Sequence, residues 1–122
     1  MQPMANIALR AARKAADFIL LSFDRPDQFQ IEQKSPRDFV TNIDKIAEKI
    51  IVEQVQTTYP RHNIRAEETG TTIVDETNEY TWIIDPIDGT MNFIRGIPHF
   101  AVSIGIQKGN HLEHGVIIDP IN

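Results

Sequence analysis

Two aspartates stand three residues apart in the segment WIIDPIDGTMNF, Trp82 to Phe93, separated only by Pro86 and Ile87. An apolar run that ends in Asp85 and Asp88 and meets Gly89-Thr90 at once carries more than a turn requires. Proline holds φ at about −65° and drives the residue before it into extended geometry. The chain therefore leaves a strand at a defined angle, with both carboxylates able to converge. Oxygen donors in a chain without cysteine favour the hard cations Mg2+, Mn2+ or Ca2+ over Zn2+. The Ile87 carbonyl is a further oxygen in the same turn. Gly89 is expected to spare the ligand an obstructing Cβ. The main-chain amides of Gly89 and Thr90 stand where a short helical turn begins, a geometry suited to phosphate oxygens. The rival interpretation is a proline-kinked turn with a capping aspartate. It leaves the second carboxylate and the Gly-Thr pair without a role.

Two upstream acids are candidates to complete such a site. Glu67 closes the strand-like HNIRAEE, and strand ends are where ligand sites collect. Taken alone, it reads equally well as the first acid of a surface loop. Glu68 is assigned to structure, either solvated or salt-bridged. Asp44 falls in the first turn of a helix, where the dipole favours an acid, and spacing alone makes it structural. Other polar residues weigh less. His111 and His114 are three apart on an expected strand, so they should point to opposite faces and not chelate as a pair. His99, beside Pro98, reads as a loop or packing residue. Ser103 has no nucleophile elbow around it, and Arg61 and Arg65 read as solvated charges.

The bulk composition sets limits on this chemistry. In 122 residues, 12 Lys and Arg stand against 17 Asp and Glu, a net charge of −5. No basic surface recommends nucleic acid as a direct partner. The acidic excess would repel an anionic substrate unless bound cations reverse the sign locally. The absence of cysteine excludes disulfides and thiolate chemistry and is compatible with the cytoplasm. No apolar run approaches the roughly 20 residues of a membrane span.

The elements that must position the acids are legible in outline. Met4 to Leu21 is a run of good helix formers with Ile7, Ala11, Ala15 and Phe18 on one face. A polar connection with two prolines follows, with room for a short strand around Phe29 to Glu32. Ile43, Ile46, Ala47, Ile50, Ile51 and Val55 predict a second helix, stopped by Pro60. Thr41 and Asp44 resemble a helix-start capping pair. Thr69 to Glu79 is polar and acidic and reads as a surface loop. YTWIID predicts a buried strand, and MNFIRG a helical turn closed by Gly96. Phe100, Val102, Ile104 and Ile106 alternate on one face of a hairpin that turns at Gly109-Asn110. A final strand with little after it to cover its edge makes the chain look like the front part of a larger fold.

With those motifs in view, the chain resembles the inositol monophosphatase family, in particular its bacterial inositol-1-monophosphatase branch. The likeness runs along essentially the whole chain, through NIALRAARKAADFI, SPRDFVTNIDK, YPRHNIRAEETG, WIIDPIDGTMNFIRGIPHFAVSIG and VIIDP. It implies an α+β fold, the N-terminal portion of a layered α/β/α/β/α sandwich, with residues 1–122 as its metal-binding part. It also implies a cytoplasmic, usually homodimeric, lithium-sensitive enzyme that hydrolyses phosphate monoesters such as inositol phosphate with Mg2+. By motif, Glu67, Asp85 and the Ile87 carbonyl would ligate a first metal, and Asp85 and Asp88 a second. Thr90 and Asp44 would polarise the attacking water, with Glu67 helping to position it. The amides of Gly89 and Thr90 would hold the phosphate, and Lys34 matches a lysine of a mobile loop near the metals. Met91 departs from the family's usual second threonine, and a packing change is expected there. The family's C-terminal half, with another metal-binding aspartate and most contacts to the ring, is not in these residues, so weak Mg2+ binding and poor turnover are expected of them. The resemblance leaves other functions open: a binding module linked to the transcription machinery and ribosomal RNA synthesis, or a phosphatase of fructose bisphosphate or 3′-phosphoadenosine nucleotides.

Overall fold

A computed structural model describes residues 3–122. Helix α1 (Pro3–Phe23) buries Ala8, Ala11, Ala12, Ala15, Ala16 and Ile19. The alanines keep its inner face thin, so α1 packs closely on helix α2 (Asn42–Thr58). The start of α2 is fixed by a full capping box. The Thr41 hydroxyl accepts from the amides of Ile43 and Asp44, and Asp44 accepts from the Thr41 amide. Its buried stripe is Ile43, Ala47, Ile51 and Val55, as the apolar spacing predicts, whereas Ile50 is only partly buried and Ile46, also expected on that face, is exposed.

Among the described residues, seven strands follow one another as β1 (Ile31–Ser35), β2 (Asp38–Thr41), β3 (Asn63–Ala66), β4 (Gly70–Thr72), β5 (Tyr80–Asp88), β6 (Ala101–Lys108) and β7 (His111–Ile118). A short helix, α3 (Thr90–Ile94), lies between β5 and β6. Strands β1 and β2 form a separate hairpin, and the other five make one sheet in the order β4-β3-β5-β6-β7. Only β3 and β5 run parallel; the remaining pairs are antiparallel. Trp82 and Ile84 of β5 and Val102, Ile104 and Ile106 of β6 are buried with the helix residues in one core. The fold is therefore α+β, two long helices over a mainly antiparallel sheet. The opposite side of the sheet presents a hollow lined by Ile83, Ser103, Gly105, Leu112, Gly115 and Ile117. No helix among the described residues is long and apolar enough to cross a membrane.

Several local expectations need correction. The strand expected at Phe29 to Glu32 begins at Ile31, because Phe29 stacks on Phe93 at 4.7 Å between ring centres and is drawn out of the ladder. The polar segment after Glu68 contains strand β4, a backbone-paired edge with no apolar pattern to announce it. The rest of that segment hangs on buried Asn63, whose Oδ1 accepts from the amides of Val74 and Asp75 at 2.8 and 3.0 Å. Arg61 is not merely solvated: its guanidinium pairs with Asp75. His111 and His114 do not point to opposite faces. A bulge at Glu113 pairs His111 with Lys108 and His114 with Ile106, two positions on the same side of β6. Trp82 donates its indole N–H to His62 Nδ1 at 2.9 Å, and burial lowers the pKa of that imidazole.

Candidate functional site

Strand β5 runs on through Pro86 to Asp88 instead of stopping at Asp85. Proline has no N–H to give its neighbour, and the β5–β6 ladder accordingly loses register between Asp85 and Asp88. This break turns the strand end toward a cavity of about 270 Å³. Three segments meet there: Lys34 to Phe39 of the β1–β2 hairpin, Glu67 and Glu68 after β3, and Asp85 to Met91. Parallel pairing supplies the alignment. Ala66 lies opposite Ile84, and the Glu67 amide donates to the Ile84 carbonyl at 3.0 Å, so Glu67 comes level with Asp85 at the same end of the sheet.

The acids act on one another. Burial and then the charges of Asp88, Glu67, Asp44 and Glu68 push the Asp85 carboxyl up to about 6. Like charges crowded in a partly desolvated hollow raise the cost of ionisation, and a divalent cation would remove it. The donor set, carboxylates with a backbone carbonyl and no sulfur, fits Mg2+ or Mn2+. The side chains share the cavity without converging on one point: among the described residues, no three acidic or imidazole groups form a metal cage.

Asp44 and Thr90 are brought together from 46 positions apart in sequence. The Thr90 hydroxyl lies 2.8 Å from Asp44 Oδ2 and 3.1 Å from the Ile87 carbonyl oxygen. It has one proton to give, and the carboxylate is the stronger acceptor. The other oxygen, Oδ1, accepts from the amide and hydroxyl of Thr41. Asp44 is thus both the helix cap that spacing suggested and a fully buried support for the wall of the cavity.

Gly89 is needed, but not for the expected reason. Its φ is +101°, and a Cβ there would meet the His99 carbonyl oxygen at 2.9 Å and Phe100 Cα at 3.3 Å. The glycine permits close packing of the turn on the 99–100 backbone, not room for a ligand. Beneath it, Phe93 packs edge-on against Phe100 at 5.2 Å and stacks on Phe29, seating α3 under the cavity. His99 is the exposed loop residue expected, its carbonyl accepting from Asn92. Met91 lines the cavity beside Thr90.

Lys34 pairs with Glu68 at 2.7 Å across the cavity mouth, in keeping with a structural Glu68. Burial raises the Glu68 pKa against the pull of Lys34. On Lys34 the balance is reversed: burial lowers its pKa, but Glu68, Asp38 and Glu67 together hold it above its usual value. Sequence reasoning missed Arg37, Asp38 and Phe39, which also line the cavity from the hairpin. It also missed Glu48, a fully buried acid one turn beyond Asp44. The available signal was its place beside the apolar stripe of α2, in line with Asp44, Ile51 and Val55.

Comparison with known proteins gives the family and the fold. The model of the inositol monophosphatase family matches residues 1–122. The Nus factor SuhB of Pasteurella multocida is 48% identical over 121 residues, which are 99% of this chain and 45% of that protein. The crystal structure of extragenic suppressor protein suhB from Bartonella henselae superposes with a TM-score of 0.95 at 36% identity, over 99% of this chain and 46% of that one. An IMPase structure from Thermotoga maritima gives 0.84 at 31% identity, covering 98% and 45%. The chain spans about half the length of the curated relatives it matches. It belongs to the inositol monophosphatase family.

Proposed function

We propose that these residues form the cation-binding and phosphate-facing part of a Mg2+-dependent phosphate monoester hydrolase acting on substrates of the inositol 1-phosphate type. The observation that carries this reading is that Glu67, Glu68, Asp85 and Asp88 line one cavity, where burial and then the neighbouring acids push the Asp85 carboxyl up to about 6. Glu67, Asp85 and the Ile87 carbonyl are assigned to one cation, and Asp85 and Asp88 to a second. When bound, Mg2+ supplies Lewis-acid activation of water and charge compensation for the leaving oxygen.

The chain's own groups do the rest. Thr90 directs its hydroxyl proton at Asp44 Oδ2, which leaves its lone pairs free to accept a proton from a water in the cavity. Glu67 orients that water. The amides of Gly89 and Thr90 hold the phosphate oxygens in line. A water O–P bond forms as the ester P–O bond breaks, the alcohol leaves with a proton, and no covalent enzyme intermediate intervenes. Lys34, at the mouth, contributes positive charge for the incoming anion. The same reading carries lithium sensitivity, a cytoplasmic location and a homodimer.

Phosphate release from inositol 1-phosphate at saturating Mg2+, with and without Asp85→Asn, tests the reading. The 122 residues alone are expected to turn over slowly and to bind Mg2+ weakly, because they match only half of each relative. The substitution should abolish the residual binding. An unchanged Mg2+ titration would remove Asp85 from its role. A second reading, a protein partner in transcription, is favoured by the name Nus factor borne by relatives 46–50% identical to this chain. Capture of such a partner that survives Asp85→Asn would favour it.

A further inference from the structure

Glu48 is a carboxylate with no solvent exposure, set on the inner face of α2 between Asp44 and the apolar Ala47, Ile51 and Val55. Burying an ionised group costs heavily unless its oxygens are matched by donors. Both of its oxygens are matched by consecutive main-chain amides: Oε1 accepts from Glu68 N at 2.7 Å and Oε2 from Thr69 N at 2.9 Å. The amide immediately before them, that of Glu67, donates to Ile84 O at 3.0 Å. Three successive N–H groups of one short turn are therefore fixed, one to the strand that carries Asp85 and two to α2. The β3–β4 connection could close by backbone pairing alone, at far less cost than a dry carboxylate.

We infer that Glu48 is a positioning residue: it clamps the 67–69 turn and so fixes where Glu67 stands beside Asp85 at the end of the sheet, which a divalent cation drawing on both acids would depend on. The inference rests on the metal-dependent reading above and extends it to a residue that touches neither cation nor substrate. One turn earlier on the same helix, Asp44 holds the opposite wall through Thr90. Helix α2 thereby sets the distance between the acids from both sides.

The test measures Mn2+ affinity by electron paramagnetic resonance, beside thermal melting, for the wild-type chain, Glu48→Gln and Glu48→Asp. Glutamine keeps the length and one acceptor oxygen but turns an NH2 toward the second amide, so that two donors meet. Aspartate keeps the charge but falls short by one methylene. Groups that orient metal ligands typically change affinity by about 10- to 100-fold when altered. Glu48→Gln is expected to weaken Mn2+ binding by at least about tenfold at a temperature where it remains folded. A lower melting temperature with unchanged Mn2+ affinity in the folded protein would reduce Glu48 to a structural anchor and overturn the inference. Wild-type protein that binds no Mn2+ would instead overturn the metal-dependent reading itself. Should neither variant fold, hydrogen exchange at the Glu68 and Thr69 amides of the wild type decides. A clamp that favours the ion must be tightened by it, so saturating Mg2+ should slow both amides, and unchanged exchange with Mg2+ bound refutes the coupling.

Discussion

Asp85 sits where charges of one sign are crowded together, and this has a sign that can be measured. Its folded pKa of about 6 lies above the ordinary 3.8. A raised folded value means that its contribution to stability is complete below the unfolded pKa and is lost as pH rises through the folded one. The Asp85 contribution therefore favours a higher melting temperature at pH 5 than at pH 7.5 in metal-free protein, against the opposite contribution of His62, and is read as the difference between wild type and Asp85→Asn. The difference from this group is on the order of 1 kcal/mol, reduced from the full linkage value because the carboxyl is only partly buried. Mg2+ at pH 7.5 should restore the loss. Asp85→Asn should melt higher than the metal-free wild type at pH 7.5 and gain nothing from Mg2+. Melting curves at the two pH values, with and without Mg2+, check each statement. The two aspartates were legible from their letters because Pro86 restricts the geometry between them. Glu48 was not, since a glutamate in a helix is ordinarily solvated, and only the fold shows which amides it meets. Gly89 was identified for the wrong neighbour: its contact is the backbone of residues 99 and 100.

At the level of elements, α2 is the part on which the site depends most, and its start is its most specific feature. Thr41→Ala removes the hydroxyl that accepts from the Ile43 and Asp44 amides and donates to the Asp44 carboxylate. Loss of such a cap costs about 1–2 kcal/mol. Denaturant unfolding should show that cost, while Thr41→Ser should recover most of it. Both long helices, the hairpin of β6 and β7 and the turn at Gly109 followed from apolar spacing and turn residues. Strand β4 did not, because an exposed edge of Gly-Thr-Thr is held by backbone pairing that leaves no mark on side-chain pattern. The bulge at Glu113 was equally silent: a strict two-residue alternation assigns His111 and His114 to opposite faces, and one extra residue reverses that.

Seen as a whole, the molecule is unevenly clothed. Helices α1 and α2 cover one side of the sheet, whereas Leu112 and Ile117 on the other are 65% and 76% exposed. Apolar side chains grouped along an edge strand are a surface on which chains associate. The 122 residues on their own should self-associate at micromolar concentration and bind an apolar dye. Leu112→Lys with Ile117→Lys should shift the population toward monomer in sedimentation velocity and reduce the dye signal. The melting temperature should hardly change, since neither side chain belongs to the core.

Parallel neighbours have one more property. The acids after β3 and near the end of β5 are kept level by hydrogen bonds between the two strands, not by the path of chain that joins them. The stretch from Ile73 to Glu79 is tied instead to Asn63 and Arg61, at the other end of β3 from the acids, so a change of length there would strain those ties before it moved Glu67 or Asp85. Deleting a single residue inside β3 is a different event. It would move Glu67 by one step along the ladder and turn it to the far side of the sheet from Asp85, a change that no outside loop could repair.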